Sequence, residues 1–151
     1  MMKRFLLLFL IASFNVSAAE QAITQWVYNT LERAQANLDK GNIEAAERIY
    51  YDYANDTWSS RSYDHFVLLR TYAYFLISYD RNEEALKYLR QASLKRDMPP
   101  YDIFELNFTL GQVYYVNGDR ENAKKTLLKW VEIGEKNKLD LKPEGYAILA
   151  T

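Results

Sequence analysis

Four small residues recur along this chain at nearly constant intervals. Ala34, Ala73, Gly111 and Ala150 are separated by 39, 38 and 39 residues, and each sits in a run of helically spaced apolar residues. A fixed period of this length constrains the fold strongly. It marks an array of like units, each a pair of helices that buries its apolar face against the next pair. A turn and an alanine recur in phase with it: Gly41-Asn42 before Ala46, Asp80-Arg81-Asn82 before Ala85, and Gly118-Asp119 before Ala123. Each residue type has a physical reason. Gly111 lets two helices approach closely, Gly118 supplies a turn conformation that other residues resist, and Ala123 fits a second helix against a first.

The periodicity predicts seven helices, over about 21–39, 43–55, 62–79, 82–95, 100–117, 120–137 and 143–151. Ala85, Leu86, Leu89 and Ala92 show the spacing in one of them. No segment combines strand alternation with turn signals, and Ile49-Tyr50-Tyr51 lies inside a helical period. Polar residues and prolines mark the connections between units, at Asn55 to Ser60, Arg96 to Pro100 and Asn137 to Pro143. Pro100 and Pro143 suit the first turn of the helices that follow, where a missing N–H costs little.

Leu110-Gly111-x-x-Tyr114, the Gly118-Asp119 turn and Ala123 together resemble a tetratricopeptide repeat. The resemblance implies an all-α fold: a tetratricopeptide-type α-solenoid of antiparallel helix pairs, three full repeats plus the start of a fourth. The units fall at about 27–61, 66–99, 104–139 and, in part, 143–151, within a repeat domain spanning 20–151. Each unit exceeds the usual repeat by about four or five residues, placed in the connections. The segment Pro143 to Thr151 reads as the opening of another first helix. Either it serves as a short cap or the array continues in a longer chain, and the apolar character of the segment favours the second expectation.

The first nineteen residues read as a leader. Lys3 and Arg4 precede an apolar run from Phe5 to Phe14, and Val16-Ser17-Ala18-Ala19 offers cleavage after Ala18 or Ala19. A membrane span would need about 20 apolar residues, roughly twice this run. Cleavage would remove two of the 19 basic residues and leave 17 against 20 acidic ones, a formal charge of −3. Such a surface draws in neither nucleic acid nor anionic lipid. Without cysteine there is no disulfide framework or thiolate metal site.

A narrower resemblance is to exported tetratricopeptide proteins described as components of the TonB system of Gram-negative bacteria. It rests on Arg70 to Leu76 with Glu84 to Ala92, on Leu127-Leu128-Lys129-Trp130, where a large aromatic replaces the usual small residue, and on Leu141 to Ala150. It implies a periplasmic helper of the complex that powers outer-membrane uptake, with TonB-complex proteins as partners. An alternative is a structural or assembly protein of the envelope that acts through self-association.

In such repeats the first helices present one face to an extended peptide or a helix. The candidates for partner binding are Arg70, Thr71 and Tyr74 from the second unit, and Glu105, Phe108, Gln112 and Tyr115 from the third. Val67, Ser78 and Thr109 lie on the same faces, as do Tyr28, Leu31, Glu32 and Gln35 in the first unit. Aromatic rings can anchor a partner with large area and little entropy loss, and Arg70 can pair with a carboxylate. Tyr114, Ala85, Leu89, Ala92, Ala123, Leu127 and Trp130 are expected in the core. If the array ends at Thr151, Ile148 and Leu149 are expected to be exposed and to seek a partner helix.

Catalytic constellations are thin. His65, the one histidine, stands beside Asp64 at a helix start and reads as a surface or interhelical residue. Glu83-Glu84 and Asp119-Glu121 lie in first turns, where they complement the helix dipole. No nucleophile motif or phosphate-cradling loop occurs. The expectation is therefore no enzyme, no metal and no cofactor.

Overall fold

The computed structural model describes residues 22–56 and 62–151. The expected leader and part of the first connection between units lie outside the described residues. Among the described residues there are seven helices and no strand: α1 (Gln25–Asp39), α2 (Ile43–Ala54), α3 (Ser62–Ser78), α4 (Asn82–Ser93), α5 (Pro100–Val116), α6 (Arg120–Asn137) and α7 (Pro143–Leu149). The chain is all-α, as the repeat pattern requires. No helix among the described residues is long and apolar enough to cross a membrane. One start differs from expectation. α1 begins at Gln25 and not near residue 21, because Thr24 is extended (φ −67°, ψ 154°) and its hydroxyl accepts from Val27 N, as an N-cap does.

The turns inside the helix pairs are chemically alike. α1, α3 and α5 each end with a left-handed residue: Gly41 (φ 78°), Asp80 (φ 60°) and Gly118 (φ 81°). Around each, a pair of backbone bonds closes the helix end. Asn42 N bonds Asn37 O, Arg81 N bonds Leu76 O, and Asp119 N bonds Tyr114 O, at 2.8–2.9 Å. This six-to-one closure satisfies carbonyls that would otherwise be orphaned, and the left-handed residue permits it. Aspartate tolerates the conformation better than most residues, which explains why the second turn manages without glycine. Lys138 (φ 55°) ends α6 in the same way, with Leu139 N on Gly134 O. Within each unit, a turn this short obliges α1 with α2, and α5 with α6, to run antiparallel.

The chain divides between Arg81 and Asn82 into two compact units. In the first unit α1 packs on α2 and α2 on α3. Its core is aromatic: the ring of Phe75 lies 5.4 Å from Tyr50, 6.2 Å from Tyr72 and 4.8 Å from Tyr79, centre to centre. Polar hooks tie the helices together. Asp64, fully buried in the first turn of α3, accepts from Thr24 N at 3.0 Å. His65 Nε2 donates to Ala54 O at 2.9 Å, so the lone histidine is interhelical. Glu47 accepts from the Tyr72 hydroxyl and, at 2.6 Å, from Arg81. Burial, the largest cause, pushes the Tyr50 phenol up to about 12.

In the second unit α5 is the central element, in contact with α4, α6 and α7. Phe104, Phe108, Leu127 and Trp130 form its core cluster, with Trp130 fully buried. The helices approach through glycines. A methyl group on Gly111 would fall 2.6 Å from Leu127, and one on Gly134 would fall 2.6 Å from Leu141 and 2.8 Å from Phe104. One on Gly145 would collide with the Trp130 ring. The residues expected in the core are all buried. Ile148 and Leu149, expected to be exposed, are half-buried and pack against the cluster, because Gly145 lets α7 seat directly on Trp130.

A candidate protein-binding face

The candidate residues divide between the two units, so each set stands by itself. On α3, Arg70 and Tyr74 are one turn apart and half-buried. Arg70 lies over the ring of Phe66, 5.1 Å from its centre, so its planar group is already stacked on its own helix. Thr71 is not on an open face. It is 7 % exposed, drawn into the buried arc that also holds Leu68, Tyr72 and Phe75, and Val67 is buried with it. Among the described residues the Thr71 hydroxyl has no hydrogen-bond partner. At the end of the helix Ser78 bonds back to Phe75 O at 2.6 Å.

In α1 the expected row is open at Tyr28 and Glu32, while Leu31 and Gln35 are half-buried. The Glu32 carboxylate accepts from the Tyr28 hydroxyl, and that bond holds the phenol above its ordinary value. Such a pair is a local i,i+4 contact on a solvated helix face.

On α5 the spacing 105, 108, 112, 115 places four residues along one face. Glu105, Gln112 and Tyr115 are half-buried, whereas Phe108 is 8 % exposed. The reason is that α6 and α7 both cover this part of α5. Phe108 packs on Trp130 (5.1 Å between ring centres) and lies under the ammonium of Lys142 (4.5 Å). It is therefore a core ring with a covered face. Lys142 Nζ also reaches both oxygens of Glu105, at 3.0 and 3.1 Å. At the far end of the row, Arg120 lies over the Tyr115 ring at 5.7 Å.

Lys142 was not among the candidate residues read from the sequence. A shift of 39 residues places it in phase with Ile103, two residues before Glu105, so the repeat interval does not put the two on one helix face. Its proximity comes from the tertiary fold, where the start of α7 meets α5. Arg120 lies five residues after Tyr115, across the turn, and helical spacing alone does not reveal that contact. Among the described residues no three histidine, aspartate or glutamate side chains cluster as metal ligands.

No family model matches the chain. Among curated proteins it is similar to pre-mRNA-splicing factor 6 of Saccharomyces cerevisiae, 30 % identical over 118 residues, which is 71 % of this chain and 11 % of that protein. The chain thus spans about a tenth of the relative's length. That similarity and the repeated helix pairs are compatible with tetratricopeptide-like repeats, a fold that suggests protein–protein interaction.

Proposed function

We propose that this chain is a protein-binding scaffold of the periplasm, an accessory to TonB-dependent transport. The observation that carries the binding reading is the α5 row, where Glu105, Gln112 and Tyr115 leave polar and aromatic surface half-open along one helix face. Side chains held on a rigid helix, with a large ring among them, suit an extended or helical protein segment. Arg70 and Tyr74 on α3 offer a cation and a phenol of the same character. The reading assigns no catalytic role to any residue.

Export rests on the leader pattern of residues 1–19, and the link to TonB on the resemblance of the three stretches at 70–92, 127–130 and 141–150. The test is co-purification of TonB-complex proteins with the tagged chain from envelope extracts, alongside growth of a deletion strain on chelated iron. Association together with a growth defect is the expected result. Normal growth with no association would overturn the TonB assignment.

A further inference from the structure

On α5, Glu105 and Phe108 stand one turn apart, so a carboxylate and the face of a ring open onto the same point. The ammonium of Lys142 fills that point, 3.0 and 3.1 Å from the two carboxylate oxygens and 4.5 Å from the ring centre. A carboxylate beside an aromatic face is a matched receptor for a lysine ammonium: one supplies charge-assisted hydrogen bonds and the other its quadrupole.

The polar part of the arrangement lies at the surface, since the side chain of Lys142 is 40 % exposed and that of Glu105 24 %, while Phe108 belongs to the core beneath it. Movement of Lys142 into water would uncover the ring face of Phe108. α7 has other anchors, because Gly145 seats on Trp130 and Leu141 seats against Gly134. The other complete first helices lack the pair. At the same repeat positions α1 carries Tyr28 and Leu31, and α3 carries Val67 and Arg70.

We propose that Glu105 and Phe108 form a subsite for a lysine side chain of a basic partner segment, and that Lys142 occupies it as an internal stand-in. This rests on the protein-binding reading of α5. A tethered lysine competes at an effective concentration in the millimolar range, so the subsite is held shut against weak ligands. A partner that makes further contacts along Gln112 and Tyr115 displaces it.

The test uses the full chain and a defined probe, an acetylated and amidated octapeptide of alternating lysine and alanine, with its norleucine analogue as control. Binding is read by NMR titration of the Phe108 ring protons. Lys142→Met keeps the apolar stem and removes the charge. It is expected to bind the lysine peptide about tenfold more tightly than the parent chain, in line with the loss of a tethered competitor. Glu105→Gln added to Lys142→Met should abolish the gain, and the norleucine peptide should show none. Equal affinity of parent and Lys142→Met overturns the proposal, as does a gain that survives Glu105→Gln or is matched by norleucine. Circular dichroism checks that α7 remains folded. Should Lys142→Met lose helix, the parent chain decides: Glu105→Gln alone must weaken its peptide binding, and no change overturns the subsite. If envelope partners still associate while these arms fail, only the subsite falls. Loss of that association removes the binding reading itself.

Discussion

The two units solve the same packing problem by different means. In the first, helices with the repeat pattern are joined by polar hooks and loosely tilted aromatic rings: Asp64 on Thr24 N, His65 on Ala54 O, and Glu47 between Tyr72 and Arg81. In the second, they are joined by shape, with Gly111 against Leu127, Gly134 against Leu141 and Gly145 against Trp130. A seam held by hydrogen bonds tolerates changes of volume and fails when a partner group is removed. A seam held by notches behaves the other way, because a close-packed interior neither compresses nor refills easily. One repeat period thus accommodates two kinds of interface.

The second unit also contains its own internal contrast. Ala92 of α4 and Leu106 of α5 occupy the repeat positions that Trp130 of α6 and Gly145 of α7 occupy one unit later, and Ala92 and Leu106 are each 1 % exposed. In sequence the first pair of positions runs small then large, and the second runs large then small. The order of sizes is inverted while all four positions stay buried. Trp130 fills it at a cost, since among the described residues its indole N–H finds no hydrogen-bond partner.

The largest expected effect breaks that inverted pair. Trp130→Ala should destabilise the chain by about 3–5 kcal/mol in urea unfolding, through the cavity it leaves. Gly145→Leu should also destabilise by driving a side chain into the ring. The double variant relieves that clash by making room for the new side chain and should recover about 1–3 kcal/mol relative to the sum of the singles. Strict additivity would show that the two sites are not a matched pair.

Next comes the chief hook of the first unit. Asp64→Leu leaves Thr24 N without its acceptor and should cost about 1–3 kcal/mol. The signature that separates it from a general loss is faster hydrogen exchange at the start of α1 than in α6.

The aromatic core gives a pH test of intermediate size. Tyr50 titrates near 10 when unfolded and is pushed up to about 12 by burial, so the folded state holds its proton longer. Its contribution is complete below pH 10 and is lost as pH rises from 10 through 12, by up to about 1.4 kcal/mol per pH unit. Tyr50→Phe should flatten that part of the stability profile. An unchanged slope would mean that other tyrosines carry it.

The smallest effect is expected at Glu47. Its partner Arg81 is about one-third exposed, so Glu47→Gln should cost roughly 0.5–1 kcal/mol, and the cost should shrink in high salt. A loss above that range would rank this ion pair with the buried hooks.

Much of the fold was legible because its signals are local. Gly41, Asp80 and Gly118 announce the turns through backbone conformation, and all seven helices follow from apolar spacing with ends displaced by a few residues. Gly111 was readable as a close approach because glycine inside a helix has few other uses. The candidate face was only partly legible. Helical periodicity assigns Phe108 and Thr71 to a face, but cannot say what covers that face. For Phe108 the cover comes from Trp130 and from Lys142, which lies 34 residues farther along the chain. Asp64 and Gly145 look ordinary in sequence for the same reason: their partners, Thr24 and Trp130, are brought to them by other helices.

The chain by itself therefore determined the period, the helix pairs and the turns, all of which depend on backbone conformation and on which residues share a helix face. Tertiary structure alone decided which faces stay open, which carboxylates are already engaged, and that Gly145 seats on Trp130. Those outcomes depend on volumes and charges contributed by segments one repeat or more apart, and close packing makes each of them conditional on its neighbour.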